Sequence, residues 1–600
     1  MPGASPKHIA VLTLVCVTLI AAVPRKAHAS PDDRVGEKLK DATLRDMFGR
    51  EAQLLSFHKG KTLVIAYTGL GCPISQRYAP RLMQLYEKFR DKGVTFVGIN
   101  ANPHDKRKAI AKEAKKLGIK FPILQDKGQE LTRQLDAKTT TEVFVVDSDM
   151  VIRYRGMIDD QYALGEKRAK PKTKYLEKAI AAARKNEFPH VNRTAAPGCV
   201  ITRKTPAKSQ GKSKSDVTYA RHVARIVQDN CVSCHRPGQV GPFSLTSYEQ
   251  LTGWSAMIEM VVDDGRMPPW NADEEFDGHF SNERKLTKKE KATLLAWIKD
   301  GMPRGDPKKE PAQPKWPKQW RIGKPDRVYH MKDTFLVPKD GTVAYQYFEV
   351  PTDFKEDKWI VAMEAHPGAP EVVHHIVAFV MEPGKKADLN RLGLEEGFLC
   401  ATVPGDTPSI FPPGCAKRLP AGANIVFQLH YTTSGKAQRD KSSIGLKFAK
   451  GPVDREVRTR GIYNMSFEIP PGEGNHEVRS EFTTAEDMEL LSFFPHMHTR
   501  GKDWAYVAHL PDGKEMKLLS VSHYDFNWQE SYALKEPLFI PKGTRLECVA
   551  HFDNSESNFE NPDSTQPVKW GEQTWEEMMI GYIDWIPSKK GAEATAMATP

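Results

Sequence analysis

Two stretches that cannot contribute to a hydrophobic core divide this chain of 600 residues into separately folding parts. Residues 202–216 (TRKTPAKSQGKSKSD) are rich in basic and poor in large apolar side chains, which is typical of a flexible linker. Residues 302–326 are rich in proline, which favours a stiff, extended spacer. A weaker break, PPGEG, lies at 470–474. At roughly 150 residues per domain, a chain of this length should hold about four domains.

The breaks predict a multidomain protein. Its segments are a signal peptide at 1–29, an α/β domain at 30–200, a basic linker at 201–216, an all-α domain at 217–306, a proline-rich linker at 307–326, and two tandem all-β sandwiches at 327–475 and 476–590.

The first 29 residues predict export. A weakly basic start precedes the apolar run IAVLTLVCVTLIAAV, and AHA before Ser30 is an A-x-A cleavage site. The run is too short to cross a bilayer, and no other stretch reaches the ~18 apolar residues of a spanning helix. We expect a periplasmic or secreted protein with no integral membrane span; an uncleaved anchor is the alternative. The net charge of +11 is spread over a large surface, so no nucleic-acid partner is expected.

The first domain places Cys72 at a strand-to-helix turn. The run TLVIAY at 62–67 fits a buried strand, GCPIS follows at 71–75, and a helix-periodic segment comes next. Alternating strands and helices predict βαβ units, and a thiol at a helix N-terminus has a lowered pKa. Over about 150 residues the pattern resembles the redoxin and peroxiredoxin (AhpC/TSA-like) branch of the thioredoxin superfamily.

Two departures from that branch argue against a dithiol reductase. Ser75 occupies the second position of a C-x-x-C pair, and Thr141 stands where a cis-proline is usual. Cys72 therefore remains a candidate catalytic residue of a one-cysteine peroxidase. The alternatives are a degenerate domain, an inert buried thiol, or a pairing of Cys72 with Cys199.

The second domain contains the sequence C-x-x-C-H. Cys231 and Cys234 are spaced to form thioethers with haem, and His235 would bind the iron. Met267, in the loop DGRMPPW, is the expected second axial ligand. With its flanking helical segments the pattern resembles small cytochrome c domains and predicts one haem c per chain. A chance match or a structural zinc pair is the alternative.

The last 270 residues contain two clusters of potential metal ligands. His374 and His375 open HHIVAFV, and His430 lies in the strand-like IVFQLHY. Adjacent strand residues point to opposite faces, so a metal shared by the pair would require a bulge, with His430 on a neighbouring strand. Three imidazoles form a ligand set for copper.

The second cluster combines imidazole with a thioether. His496 and His498 share one face of a strand and can chelate a single ion. Met578 lies in WEEMMIGY, with Met579 as the alternative. A thioether ligand favours Cu(I), whereas zinc usually takes a carboxylate or another histidine.

In this order the motifs resemble the type II, ascorbate-dependent copper monooxygenases, the family of peptidylglycine hydroxylating and dopamine β-monooxygenases. The resemblance implies two jelly-roll-like sandwiches, each with one copper: an electron-donating copper on His374, His375 and His430, and an oxygen-binding copper on His496, His498 and Met578. It also implies ascorbate or another one-electron donor, O2, and hydroxylation of an activated C–H bond in a small molecule or peptide.

Two positions near the second cluster bear on the substrate. Tyr582 matches a substrate-side tyrosine of that family, but Phe494 stands where the peptidylglycine enzymes have a carboxylate-binding arginine. We therefore expect an apolar or aromatic group near Phe493 and Phe494. Cys400 and Cys415 flank a loop between the ligand segments, and a disulfide between them is expected in an oxidising compartment.

The sequence thus predicts an exported copper monooxygenase, with electrons delivered through a haem on the same chain. The alternatives are a non-catalytic electron-transfer or copper-handling protein and a thiol peroxidase centred on Cys72. The remaining histidines of the sandwiches are expected at the surface or hydrogen-bonded in the core.

Overall fold

The computed structural model describes residues 34–164, 166–168, 170–203, 216–316, 320–339, 341–385, 391–395, 397–403 and 407–589. The predicted signal peptide at 1–29 and most of the predicted basic linker lie outside these residues. Within the described ranges, no helix combines the length and the apolar character needed to cross a membrane.

The first domain is a seven-stranded sheet with helices packed on it, in the order β2-β1-β5-β4-β3-β6-β7. Strands β3, β4 and β5 are parallel, as the βαβ pattern predicts, and β3 is buried along almost its whole length. Helix α1 begins directly after Cys72. The elements are β1 (Thr43–Asp46), β2 (Glu51–Gln53), β3 (Thr62–Thr68), α1 (Pro73–Phe89), β4 (Val94–Asn100), α2 (Arg107–Lys116), β5 (Ile123–Gln125), α3 (Glu130–Leu135), β6 (Val143–Val146), β7 (Ile152–Gly156) and α4 (Tyr175–Ala183).

The regular elements of the second region, among its described residues, are helices joined by long loops. Val227, Leu294 and Trp297 belong to its buried core, and α8 begins with a capping box between Thr287 and Glu290. The helices are α5 (Ala224–Asn230), preceded by a π-helical turn (Tyr219–Val223), α6 (Tyr248–Gly253), α7 (Ser255–Asp263) and α8 (Lys288–Lys299).

The third region consists of two main sheets that share one core. One has the order β10-β16-β12-β13, and the other contains β19-β15-β11-β18-β8 with β14 paired to β11. Ile376 and Phe427 from the first sheet pack with Ile360 and Ile444 from the second. The strands are β8 (Arg327–His330), β9 (Phe335–Val337), β10 (Gln346–Pro351), β11 (Lys358–His366), β12 (Val373–Met381), β13 (Phe398–Thr402), β14 (Ser409–Ile410), β15 (Cys415–Leu419), β16 (Asn424–Tyr431), β17 (Gln438–Asp440), β18 (Ser443–Phe448) and β19 (Arg455–Glu456).

The fourth region has two four-stranded sheets, β20-β29-β23-β26 and β22-β27-β24-β25. Because β20 pairs with β29, this sandwich starts near residue 458, ahead of the boundary predicted at 475–476. The PPGEG segment is therefore a loop within it. The strands are β20 (Arg458–Tyr463), β21 (Glu468–Ile469), β22 (His476–Thr483), β23 (Met488–His496), β24 (Gly501–His509), β25 (Glu515–Val521), β26 (Tyr532–Ile540), β27 (Arg545–Phe552), β28 (Val568–Lys569) and β29 (Ile580–Pro587).

The helical region and the fourth region are not independent. Trp270 and Phe280, in the segment between α7 and α8, are buried in the same core as Tyr532. The rings of Trp270 and Tyr532 lie 5.0 Å apart, and Arg284 forms a 2.5 Å ion pair with buried Glu530. The segment after Met267 therefore helps to build the C-terminal sandwich.

Candidate metal centre

A β-bulge in β12 brings three histidines together. His375 on β12 pairs directly with His430 on β16, and the register shifts between Val373 and His375, so that His374 is the extra residue. This is the departure from regular strand that the sequence requires. One ring nitrogen from each of the three histidines lies within 4.8 Å of the others.

Each histidine of this cluster has one buried ring nitrogen without a hydrogen-bond partner among the described residues: Nε2 of His374, Nε2 of His375 and Nδ1 of His430. The Nδ1 atoms of His374 and His375 lie 3.2 Å apart. Burial lowers the pKa of His374 to about 4 and holds those of His375 and His430 well below their usual range. Three neutral imidazoles with converging lone pairs are suited to binding a soft or borderline cation such as copper.

His496 is the last residue of β23 and His498 lies two residues beyond it, with the two rings 5.4 Å apart and nearly perpendicular. Nδ1 of His496 bonds to Oε1 of Gln529 at 2.7 Å, and Nδ1 of His498 to the Glu576 carbonyl at 3.2 Å. Both acceptors fix the tautomer with hydrogen on Nδ1, which leaves Nε2 to bind a metal. Nε2 of His498 is buried and has no partner in the described part of the chain.

Glu577 holds the His498 segment against the chain that leads into β29. Its two carboxylate oxygens accept hydrogen bonds from the backbone N–H groups of His498 (2.8 Å) and Arg500 (2.7 Å). Burial raises the pKa of Glu577 to about 7, opposed by the nearby Arg500.

Met578 and Met579 have different surroundings. Met579 is fully buried in the sandwich core, where its sulfur accepts a hydrogen bond from Ser480. Met578 belongs instead to an apolar cluster with Phe494 and Tyr582. These surroundings favour Met578 over Met579 as the thioether ligand.

Phe494 and Tyr582, but not Phe493, lie on the side of β23 and β29 that faces the third region. The rings of Phe494 and His496 are 6.2 Å apart, and the ring of Tyr582 lies 4.5 Å from that of Phe398 in a tilted arrangement. Phe493 points into the sandwich core, because successive strand residues alternate between faces. Of the two phenylalanines, only Phe494 therefore shares the apolar cluster of Met578 and Tyr582.

The two histidine clusters share aromatic neighbours. The ring of Tyr345 lies 5.1 Å from that of His430 and 6.2 Å from that of His498, and Phe526 lies 5.1 Å from His374 and 6.2 Å from His498. The clusters therefore adjoin across one aromatic layer. The hydroxyl of Tyr345 is buried and has no partner among the described residues.

The structure brings Cys72 and Cys199 together as buried thiols. Burial raises the pKa of Cys72, but hydrogen bonds from Cys199 and Thr140 outweigh it and hold the pKa at about 6. Oγ1 of Thr140 lies 2.9 Å from the Cys72 sulfur and accepts a bond from the Cys199 N–H. The hydrogen bond to Cys72, together with burial, raises the pKa of Cys199 above its usual range.

Phe243, whose ring lies 4.7 Å from that of His235, connects the C-x-x-C-H region with the redoxin domain beside Cys72. Nδ1 of His235 bonds to the Phe243 carbonyl at 3.1 Å, and the Phe243 ring stacks on Trp254 at 3.9 Å. A Cβ on Gly71, the residue before Cys72, would lie 3.7 Å from both Phe243 and Trp254.

The haem ligands predicted from the sequence lie in two separate places: Cys231, Cys234 and His235 follow α5, and Met267 follows α7. Cys231 and Cys234 are thiols, and His235 keeps Nε2 for a metal because Nδ1 is engaged. Met267 is half-buried in the loop after α7, where its N–H donates to the Val261 carbonyl.

The structure does not form the predicted disulfide between Cys400 and Cys415. Both residues are buried thiols. Cys400 lies on β13 and Cys415 on β15, in different sheets and different core clusters. The two cysteines are close in sequence, but closeness in sequence does not reveal that their strands join different sheets.

Several residues of the site carry no recognisable sequence signal. Gln529 and Phe526 lie in a loop some thirty residues after the H-x-H motif, and Tyr345 lies about thirty residues before the histidine pair. Glu577 is fully buried, and nothing in its local sequence distinguishes it from a solvated acidic residue.

Two family models match parts of this chain. Residues 35–155 match the AhpC/TSA family, and residues 457–597 match the C-terminal domain of the copper type II ascorbate-dependent monooxygenases. The second match contains the H-x-H histidines, both candidate methionines and the Glu577 segment.

Curated relatives resemble a short part of the chain. The thiol-disulfide oxidoreductase ResA of Bacillus thuringiensis subsp. konkukian is 27% identical over 115 residues, which are 19% of this chain and 65% of that protein. ResA of Bacillus anthracis is 26% identical over 145 residues, which are 24% of this chain and 78% of that protein. The chain thus spans slightly less than two thirds of the first of these relatives.

Solved structures also resemble only part of the chain. The hypothetical protein SMc02350 from Sinorhizobium meliloti 1021 is 25% identical, with 29% of this chain and 96% of that chain covered and a TM-score of 0.27. An uncharacterised conserved protein from Geobacillus kaustophilus is 27% identical, covers 29% of this chain and 94% of its own, and has a TM-score of 0.26. From the family matches, the chain carries a thioredoxin-like redoxin domain and the C-terminal domain of a copper type II ascorbate-dependent monooxygenase.

Proposed function

We propose that this chain is an exported copper monooxygenase that hydroxylates a C–H bond of a small molecule or peptide, with O2 and an ascorbate-type reductant. The observation that carries the proposal is the set of buried, unpartnered ring nitrogens in two adjoining clusters. His374, His375 and His430 would hold one copper, and His496, His498 and Met578 the other. Copper bound there would supply single electrons for the reduction of O2.

The residues of the chain prepare this site in three ways. Gln529 and the Glu576 carbonyl hold the His496 and His498 rings with Nε2 available. Burial keeps the imidazoles uncharged at neutral pH, so protons compete little with a metal for the ring nitrogens. Phe494 and Tyr582 present an apolar surface beside the second cluster, which favours an apolar or aromatic substrate group.

The overall reaction consumes two electrons and two protons. A substrate R–H and O2 give R–OH and water when an external donor supplies both electrons. A copper carrier would not need two differently ligated sites, so the pair of clusters favours a monooxygenase over copper handling.

The test is ascorbate-driven oxygen uptake by the copper-loaded protein. Met578→Ile removes the thioether while it nearly preserves volume, and we expect it to abolish uptake. Met579→Ile is the matched control and should lower stability rather than uptake per folded protein, because Met579 is a core residue. Uptake that is indifferent to Met578→Ile would contradict the proposal.

A second activity is favoured by the Cys72–Cys199 pair. A thiol with a pKa near 6 beside a second, less acidic thiol is the arrangement expected for reversible oxidation. The oxidation would join the two sulfurs and release two protons and two electrons to an oxidant such as peroxide. Peroxide consumption lost in Cys72→Ser would support it, and unchanged consumption would contradict it.

We further propose that a haem c on Cys231, Cys234 and His235 can pass electrons to the copper sites. The contact of Trp270 and Arg284 with the sandwich that carries His496 supports this path. Rapid mixing with a reductant tests it. Copper reduced without prior reduction of the haem would contradict it.

A further inference from the structure

A cavity of about 160 Å³ lies where the redoxin domain meets the three-histidine cluster. Its lining includes Arg77 from α1 and Lys167 on one side, and Glu371, His374 and Asn527 on the other. The cavity is therefore built from parts of the chain that are far apart in sequence, and one of its walls is a candidate copper ligand.

The redoxin domain is fixed against this cavity by direct contacts. Lys172 pairs with Glu556 at 2.9 Å, and the Arg168 guanidinium lies 4.4 Å from the ring centre of Phe559. A Cβ on Gly435 would lie 3.6 Å from Pro80 of α1. These contacts hold Arg77 and Lys167 in position over the copper-binding region.

The two cations of the lining, half-buried Arg77 and exposed Lys167, have Glu560 as a nearby acidic group but form no close ion pair among the described residues. In the described part of the chain, neither Arg77 nor Lys167 forms an ion pair within 4.0 Å, and Arg77 makes only a cation–π contact with Tyr162 at 5.9 Å. A half-buried guanidinium has five N–H donors, and burial lowers its pKa because the charge lacks solvation. An anion entering the cavity would supply the missing acceptors.

Acidic groups near the cavity offset these charges only in part. Glu371 is exposed and accepts a hydrogen bond from Gln438. Glu560 and Asp525 flank Asn527, and burial raises the pKa of Glu560 to about 7, so it is not fully charged at neutral pH. Glu166 lies in an exposed segment.

His374 is the accessible member of its cluster. His375 and His430 are buried, whereas His374 is only half-buried and forms part of the cavity wall. An electron donor in the cavity would touch the edge of this ligand directly, without having to reach the metal.

We propose that this cavity binds the anionic one-electron reductant, an enediolate of the ascorbate class, with Arg77 and Lys167 as its charge-recognising residues. The inference rests on the proposed copper function. Bound beside His374, the monoanion would supply one electron for the reduction of copper held there, lose one proton to solvent and leave as a radical anion. Two such events supply the two electrons of one turnover.

The test compares an anionic with a neutral reductant. Oxygen uptake by the copper-loaded full chain is measured with ascorbate and with hydroquinone. The quantity compared is the KM for ascorbate divided by the KM for hydroquinone. Arg77→Gln and Lys167→Gln should each raise the ratio about five-fold, the size expected for one partly exposed charge contact. Glu371→Gln should lower it, because an opposing negative charge is removed. The matched control is Lys170→Gln, an exposed lysine outside the cavity, which should leave the ratio unchanged.

A direct binding measurement separates this inference from the function on which it rests. Anaerobic calorimetry of the copper-free protein should show ascorbate binding that weakens in Arg77→Gln and Lys167→Gln. No oxygen uptake with either reductant would overturn the proposed function. If the wild type takes up oxygen but the KM ratios of both cavity variants stay within two-fold of the wild-type ratio, the cavity assignment alone would be overturned.

Discussion

The carboxylate of Glu577 accepts a 2.8 Å hydrogen bond from the backbone N–H of His498, the second histidine of the H-x-H motif. Its other oxygen accepts from the N–H of Arg500, so one buried side chain holds the backbone of the ligand-bearing segment at two positions. The residue next to it is Met578. The same short stretch therefore provides both the candidate thioether and the support of the imidazole opposite it.

Glu577→Gln should weaken copper binding at the H-x-H site. A glutamine can accept through only one of its two terminal atoms, so the N–H of His498 or of Arg500 loses its acceptor. Loss of such support typically costs 10- to 100-fold in metal affinity. Copper titration with a chelating competitor should show one weakened and one unchanged site per chain. Glu481→Gln, at an exposed position of the same sandwich, is the control, and two unchanged sites would contradict the prediction.

Tyr345→Phe should raise stability and lower turnover. The Tyr345 hydroxyl is buried and lacks a partner among the described residues, and such a group costs about 1–3 kcal/mol. Removing it should therefore stabilise the protein by about 1 kcal/mol. The phenol lies between the clusters, so its loss should slow oxygen uptake by roughly ten-fold if it donates to the reacting oxygen or substrate.

Tyr347→Phe is the matched control for that variant. The Tyr347 hydroxyl is 3.2 Å from Glu572 and accepts a 2.7 Å bond from Gln428, so its removal should destabilise the protein. Thermal melting distinguishes the two variants. A Tyr345→Phe protein that melts lower than wild type would show that its hydroxyl has a structural partner.

The thiol pair predicts a pH dependence of stability in the reduced protein. The folded pKa of Cys72, about 6, is depressed below the ~8.5 of an unfolded thiol. The contribution of Cys72 to the free energy of unfolding is therefore fully present above pH ~8.5 and is lost as pH falls through 6. Cys199, with its pKa raised, contributes stability below pH ~8.5 that is lost above it. The wild type should gain stability over Cys72→Ser between pH 6 and 8.5.

Absorbance at 240 nm, which follows the thiolate, measures the Cys72 titration directly. The difference between wild type and Cys72→Ser should have its midpoint near pH 6. A midpoint near 8.5 would mean that the Cys199 and Thr140 hydrogen bonds do not stabilise the thiolate.

The sequence could predict those parts of the site that depend on local pattern. The adjacency of His374 and His375 required the bulge that β12 contains. The spacing of His496 and His498 predicted a shared strand face, but β23 ends at His496. The buried run before Cys72 predicted a parallel strand, which is β3. These features are encoded by residues close together in the chain.

Other parts depend on contacts between distant segments and have no local signal. Gln529 reaches His496 from a loop, and Tyr345 reaches both clusters from the segment before β10. The burial of Trp270 and Phe280 in the C-terminal sandwich could not be foreseen either, since aromatic residues in a proline-containing loop fit the local core equally well. The separation of Cys400 and Cys415 is of the same kind, because it depends on which sheet each strand joins.

The C-x-x-C-H segment yields a prediction about covalent cofactor content. When the protein is exported in cells with intact cytochrome maturation, it should carry one covalently held iron and two coppers per chain. The haem should resist acid–acetone extraction, and Cys231→Ser with Cys234→Ser should abolish its attachment, because both thioethers are lost. His374→Ala should lower the copper content and leave the iron unchanged, since the haem does not depend on the sandwich ligands. A purified chain with two coppers and no haem absorbance would make the C-x-x-C-H residues a thiol or zinc site. The external reductant would then be the only electron source of the copper centres.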